Sequence, residues 1–342
     1  MAFSTINKST DYMNTVLYTG NGGTQSITGV GFQPDFTWLK KRNATANNNV
    51  FDAVRGSDKR LITNDTGVEV TQSNFITSFN SDGFSIGDDA VINSNTNTFA
   101  SWNWKANGAG SANTDGTINS TVSVNTTAGF SIVKWTGNGS AGATVGHGLG
   151  AVPKMIIMKN LTESSRHWQI YHEGIGNAYY FEFDTTSRLD DAGAFNDTSP
   201  TSSVFTLGSS NRGNENTKSF IAYCFADVTG FSKMGKYIGN GNANGTFCFT
   251  GIKPAFVMIK NLASGEGWII HDNKRNGYNM DNDFLYANTN GAEVSSEHIE
   301  ILSNGFKARS TNGVVNGSGA IYIYMCFGQP IISNSGVCAT AR

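Results

Sequence analysis

Hydrophobic and polar positions alternate along this chain in short runs that point to strands. Phe130-Ser-Ile-Val-Lys-Trp135, Phe247-Cys-Phe-Thr250 and Ile321-Tyr-Ile-Tyr-Met325 are apolar or alternating runs, each bounded by Gly, Asn or Asp. No window of useful length shows a 3.6-residue apolar stripe with caps. The pattern predicts an all-β protein of many short strands joined by tight turns.

Self-comparison shows that the pattern repeats three times. Tyr18-Thr19-Gly20-Asn21-Gly22 recurs as Trp135-Thr136-Gly137-Asn138-Gly139 and as Tyr237-Ile238-Gly239-Asn240-Gly241. Each copy then has a proline entering an apolar run: Pro34 to Lys40, Pro153 to Lys159 and Pro254 to Lys260. Each closes on an aromatic strand, Phe99 to Trp104, Phe220 to Phe225 and Tyr322 to Phe327. The turn glycines 20, 137 and 239 step by 117 and 102 residues, and the closing aromatics 104, 225 and 327 by 121 and 102. A period near 100 is too long for a solenoid unit of roughly 20–50 residues. It fits three tandem antiparallel β-sandwich, jelly-roll-like domains, each burying its own core.

The expected boundaries are an N-terminal segment 1–14, repeats at 15–105, 128–228 and 229–330, and a C-terminal tail 331–342. A Gly/Ser/Asn-rich linker is expected over 106–127, with a short strand at Ser120–Val124. Asn-Gly pairs favour type I′ hairpin turns, so Gly20-Asn21-Gly22, Gly137-Asn138-Gly139 and Gly239-Asn240-Gly241 are read as structural turns. Pro34, Pro153 and Pro254 lack a ladder donor and are expected at strand starts.

Composition narrows the function. Charged residues are 15% and the net charge is -2, with 40 Gly and only 5 Pro. A neutral, Asn/Gly-rich surface lacks the basic face needed to bind nucleic acid or an acidic membrane. Hydrophobic residues at 38% and aromatics at 11% support a folded core rather than disorder. The start lacks the apolar run of a secretory signal, and no stretch approaches a membrane span. Cys224, Cys248, Cys326 and Cys338 have no metal-ligand spacing, and the first three read as buried thiols.

Several patterns resemble catalytic or metal motifs and are better explained structurally. Gly83-Phe-Ser85-Ile-Gly87 fits a nucleophile elbow, but Ser85 is replaced by Thr206 and Lys307 in the other copies and no helical pattern follows. Gly137 to Gly142 fits G-x-G-x-x-G yet opens no helix, and reads as a hairpin. His167 and His172 are an odd number apart, on opposite faces of a strand, so they are not expected to share a metal. Asn279, Asp281 and Asp283 alternate like a calcium loop without its turn glycine, and Asn290 replaces the closing Glu. No catalytic, metal or cofactor site is expected.

Further motifs carry a family resemblance. They include the run Thr5 to Tyr12, the run Tyr18 to Trp38, Asp52-Ala-Val-Arg-Gly56, Phe79 to Phe84, Trp102-Asn-Trp-Lys-Ala106, Leu302-Ser-Asn-Gly-Phe306 and Ile321 to Tyr324. Together they resemble a group of tailed-bacteriophage virion proteins, common in marine phages and usually labelled tail fibre or uncharacterised structural protein. The resemblance covers roughly residues 1–328. It implies a structural, non-enzymatic virion protein in a tail fibre, engaged in host attachment, and a homotrimer. Residues near the N-terminus would contact other virion proteins, and a host-surface glycan or protein would be the receptor. A capsid decoration or head-fibre protein is the alternative, and a glycan depolymerase a third. After Pro330 the tail departs from the aromatic ending of relatives.

Overall fold

The computed structural model describes residues 4–190, 193–262, 265–275, 281–333, 336 and 338–339. The chain is all-β, built of antiparallel sheets. Each repeat forms a lobe with the same inner arrangement. A first strand (Met13–Thr19, Phe130–Thr136 or Ser232–Ile238) pairs with the closing strand (Thr98–Trp104, Ser219–Phe225 or Ile321–Pro330). The closing strand pairs in turn with the proline strand (Phe36–Lys41, Met155–Asn160 or Ile252–Asn261). One further strand follows in each lobe: Asn48–Asp52, Gln169–His172 or Ile269–Asp272.

A smaller outer layer covers each inner sheet. In the first lobe it is Gln25–Thr28, Gly83–Ile86 and Ile76–Asn80, and in the second Ala143–Gly146 with Val204–Leu207. In the third lobe Asp281–Tyr286 pairs with both Ile269–Asp272 and Val294–Leu302, so inner and outer layers join into one eight-stranded sheet. Between the layers lie separate cores around Phe51, Phe75 and Phe84, around Trp135, Phe205 and Phe220, and around Tyr237, Phe306 and Tyr322.

The lobes are not beads on a string, each with only its own core. The other face of every inner sheet packs into a hub shared by all three repeats. Side chains alternate along a strand, so Phe36 and Trp38 enter the hub while Leu39 enters the first lobe's own core. Met155 and Ile157, and Phe256 and Met258, enter the hub from the other lobes. Burial on both faces explains why the proline strands read as continuous apolar runs rather than as alternation. At the hub's base the three closing aromatics meet. Trp104 lies 6.3 Å from Phe225 and 5.6 Å from Phe327, and Phe225 lies 5.9 Å from Phe327, between ring centroids.

Three expectations change. The segment 106–127 is not a free linker: Ser111–Asn113 and Ser120–Asn125 are strands, and the latter pairs along its length with Phe130–Thr136 at the edge of the second lobe. The expected strand at Ser120–Val124 lies within it. The N-terminal segment expected over 1–14 to serve for attachment is, over residues 4–14, packed into the body of the protein. Ser4 bonds through Oγ to the Thr229 carbonyl at 3.1 Å, Ile6 is buried in the hub, and Met13 begins the first strand. Pro34 and Pro153 precede their strands by two residues, but Pro254 lies inside Ile252–Asn261, at a register shift before Phe256. A bulge frees the backbone from regular pairing, which is where a residue without an N–H can be tolerated.

Because hub and lobe cores share the same sheets, the chain is expected to unfold as one cooperative unit, with a single calorimetric transition. Trp104→Ala should cost about 3–5 kcal/mol, the usual loss for a large buried aromatic, and lower that single transition. A separate transition left in place for the other lobes would contradict this account.

Candidate functional site

The three Gly-Asn-Gly turns follow directly on the first strands and are built alike. They are not hairpins, because the strand that follows belongs to the outer layer: Gln25–Thr28 pairs with Gly83–Ile86, Ala143–Gly146 with Val204–Leu207, and Phe247–Phe249 with Gly305–Ala308. Each turn carries the chain from one layer to the other. The first glycine is needed for a close approach, since a Cβ would lie 2.2, 2.4 and 2.3 Å from the carbonyl oxygens of Ser94, Glu215 and Gly317. The Asn side chain caps its own turn: Asn21, Asn138 and Asn240 accept from the N–H groups of Gly23, Ser140 and Asn242. The last glycine has φ of 71°, 73° and 65°.

A second, fully buried asparagine clamps each turn. Asn93 Oδ1 accepts from Asn21 N–H at 3.0 Å, Asn214 Oδ1 from Asn138 N–H at 2.9 Å, and Asn316 Oδ1 from Asn240 N–H at 2.9 Å. Their amide groups donate to carbonyls on both sides, for example Asn316 to Asn242 at 2.7 Å and to Ser310 at 2.9 Å. These residues step by the same 121 and 102 as the closing aromatics. Sequence reading missed them because Asn is so common here; only the matching spacing could have exposed them.

Two buried ion pairs lie at the seams between lobes. Asp52 and Arg55 pair at 2.5 Å in the first lobe, Asp272 and Arg275 at 2.6 Å in the third, all without side-chain exposure. Each carboxylate takes one more hydrogen bond from the neighbouring lobe. Tyr223 OH of the second lobe donates to Asp52 at 2.8 Å, and Trp102 Nε1 of the first donates to Asp272 at 3.0 Å. Burial opposes the charge on Asp272, yet Arg275 and the other donors hold its pKa below the usual carboxylate value. At the third seam the set changes as a group. His172 replaces the Asp, Ile175 the Arg, and Met325 the aromatic donor. His172 Nδ1 accepts from Gly174 N–H, so Nε2 carries the proton and donates to the Tyr324 carbonyl at 3.2 Å.

Three lysines complete this symmetric set. Lys40, Lys159 and Lys260 end the apolar runs of the proline strands, on the hub face, and all are fully buried. Backbone carbonyls hold their ammonium groups: Ala46 for Lys40, Asn160 at 2.9 Å for Lys159, and Glu266 at 2.7 Å for Lys260. Lys260 also lies 5.4 Å above the Phe181 ring of the second lobe. Burial pushes each of the three down to about 8.

The motif-like residues fall into ordinary places. Ser85 Oγ meets Ser26 Oγ at 3.1 Å and Asn80 Nδ2 at 2.9 Å, in the strand Gly83–Ile86. A four-residue helix, Ala90–Asn93, does follow, capped by Asp89, although no helical pattern is legible there. Gly137 to Gly142 leads into the strand Ala143–Gly146. His167 Nδ1 meets Asp184 at 2.6 Å, away from His172. Asp281 and Asp283 lie in the strand Asp281–Tyr286 rather than in a loop, and Asn279 lies outside the described residues. Among the described residues no group of three or more His, Cys, Asp or Glu is gathered for a metal. Cys224, Cys248 and Cys326 are buried free thiols, and Cys338 is exposed.

The outer surface distinguishes the third lobe. Phe247 and Phe249 are 44% and 63% exposed. The register aligns them with Ser26 and Thr28 in the first lobe and with Thr144 and Gly146 in the second.

A family model described as a domain of unknown function (DUF7483) matches residues 8–330. No curated protein and no solved structure matches the chain.

Two outcomes test the seams. Tyr223→Phe removes a hydrogen bond to a buried carboxylate and should cost about 1.5–3 kcal/mol. Met325→Leu, at the same position of the third lobe, should cost less than about 1.5 kcal/mol. Urea denaturation of both variants checks the contrast. Burial also pushes His172 and His298 down to about 4. Unfolded histidine takes a proton near 6.5 while these two stay neutral, so their stabilisation is complete above that pH and is lost as pH falls towards 4. Each accounts for on the order of 3 kcal/mol of that loss. His172→Gln and His298→Gln should each flatten the fall in urea midpoint between pH 7 and 4.5.

Proposed function

Starting from the chain's membership of the DUF7483 family, a domain of unknown function matched over residues 8–330, we propose that the protein is a structural component of a bacteriophage virion, in a tail fibre or receptor-binding position. The observation that carries this reading is the hub: one chain gathers three similar lobes around a common core and directs their outer layers away from it. Such a body offers several neutral, Asn/Ser/Thr-rich surfaces on a rigid base, an arrangement suited to attachment by repeated weak contacts. The motif resemblance to tailed-phage virion proteins points the same way.

Phe247 and Phe249 make the third lobe the preferred contact lobe. Exposed aromatic rings on a neutral surface suit a host glycan, whose sugar faces stack on such rings, better than they suit a charged polymer. A homotrimer, which the resemblance implies, would join chains through outer surfaces, because the inner sheets are already buried against one another. Attachment to other virion proteins would likewise use the exposed side of residues 4–12 rather than a released peptide, since Ser4, Ile6 and Ser9 are buried.

Localisation on the intact particle with a gold-labelled antibody tests the reading. Label at the tail or its fibres is the expected result. Label spread across the capsid shell would replace the fibre assignment with a decoration role, and absence from particles would overturn both.

A further inference from the structure

The second lobe holds a segment with no equivalent in the other two. Ser111–Asn113 and Ser120–Asn125 extend its inner sheet, and the residues between them reach the outer layer. Thr117 Oγ1 accepts from Thr144 N–H at 2.8 Å, Ile118 N–H donates to the Thr144 carbonyl at 3.0 Å, and Ser120 Oγ donates to the Gly146 carbonyl at 3.1 Å. Ile118 makes a parallel bridge to Val145 and is buried in the lobe's own core. An extended segment thus fills the gap between the first strand and the outer layer, and it satisfies the outward edge of Ala143–Gly146.

The same gap is treated differently in the other lobes. In the first, Gln25 Nε2 donates to the Thr19 carbonyl at 3.1 Å, and Asn14 Nδ2 donates to the carbonyls of Gly29 and Val30 at 3.2 and 3.0 Å. In the third, Thr246 Oγ1 donates to the Ile238 carbonyl at 2.7 Å, but Lys233, at the position of Asn14, turns to Asp227 instead. Phe247–Phe249 is the terminal strand of its sheet. Ala308 N–H donates to the Thr246 carbonyl and Thr250 N–H to the Asn304 carbonyl, so the even-numbered residues face Gly305–Ala308. Phe247 and Phe249 therefore turn their N–H and C=O groups outward, as Thr144 and Gly146 do. Among the described residues no strand pairs with them. Natural edges are guarded by charge, proline or a bulge, and this one carries two exposed rings instead.

We propose that the edge of Phe247–Phe249 receives an extended, uncharged strand of a partner protein, paired as Thr117–Ser120 pairs in the second lobe. Charge and side-chain pattern describe that strand. The edge residues are uncharged, and so is the segment from Gly116 to Asn125 that occupies the matching edge. Thr117 and Asn119 are exposed on either side of the buried Ile118. Their counterparts in the partner would lie beside Phe247 and Phe249 and should be apolar, because cross-strand neighbours of aromatic rings are stabilising when apolar. The inference concerns the backbone edge rather than the ring faces, and stands whether or not the protein is a virion component.

Fluorescence anisotropy of labelled peptides titrated with the full chain tests it. One probe is the segment Asp115–Val122, and the other is the same peptide carrying Thr117→Val and Asn119→Val. Both should bind saturably, the substituted peptide roughly tenfold more tightly. Phe249→Pro removes an outward N–H but no bond to Gly305–Ala308, so the variant should fold and should bind neither peptide. Phe247→Thr with Phe249→Gly copies Thr144 and Gly146, and should erase the preference between the peptides. Hydrogen exchange of the unsubstituted protein gives a second readout, with exchange over residues 246–250 slowed by the tighter peptide. No saturable binding, undiminished binding to Phe249→Pro, or unchanged exchange over 246–250 would each overturn the proposal. A dimer of the chain alone that Phe249→Pro abolishes would assign the edge to a second copy, and would overturn it too.

Discussion

The contact on which the rest of this structure depends is the meeting of Trp104, Phe225 and Phe327 at the base of the hub. Trp104 and Phe225 end their closing strands, Phe327 lies three residues before the end of its own, and each closing strand is paired on both sides within its own sheet. Bringing the three rings together therefore fixes three sheets, not three side chains. Once the sheets face one another, every second residue of the first, closing and proline strands is removed from water without belonging to any single lobe. A lobe alone would leave that face exposed, an apolar patch well beyond what a soluble surface tolerates.

Burial on both faces also explains where the polar residues of the hub must lie. An inner sheet has no wet side, so any charge on it needs a partner inside the protein: the lysines take backbone carbonyls of their own lobes, and the carboxylates take partners at the seam. Asp52 and Asp272 meet this with an arginine from their own lobe and an aromatic donor from the next. A buried ion pair is poor support for stability, because desolvation offsets much of the attraction. Its geometric demand is the stronger consequence here. The carboxylate is satisfied only when the neighbouring lobe presents Tyr223 or Trp102 at hydrogen-bonding distance, so the pair fixes the register between lobes. Where His172 replaces the acid, the facing position no longer needs a donor, and Met325 fills it.

Much of this was legible in the sequence. Three landmarks at matched spacing gave the three lobes, and the alternation of short runs gave strands and an all-β class. The hub was not read from them, although Met155-Ile-Ile-Met158 and Phe256-Val-Met-Ile259 carry its signal, since a strand with one wet face would alternate. The Gly-Asn-Gly turns are legible as turns, but the local preference of Asn-Gly points to a hairpin. The clamp that instead sends the chain across to the outer layer comes from Asn93, Asn214 and Asn316, more than 70 residues away. The unpaired hydroxyl of Thr15 is not legible, because a threonine in a strand draws attention only when its counterparts at Ile132 and Met234 are known to face the same interior.

A threefold internal repeat separates what a position does for the fold from what it does beyond it. Residues of the same kind in all three lobes serve the shared architecture: the turn glycines, the clamp asparagines, the buried lysines and the closing aromatics. Positions that change together, such as Asp52 with Tyr223 against His172 with Met325, show one packing problem solved twice. Positions that take a costly residue in one lobe only are different, and Thr15, Phe247 and Phe249 are of this kind. Thr15 places an unpaired hydroxyl inside, and the two phenylalanines place apolar rings outside, where the other lobes show that the fold requires neither. Each goes against the local physics of burial, and a retained cost of that sort is expected where a surface or cavity meets something outside the chain.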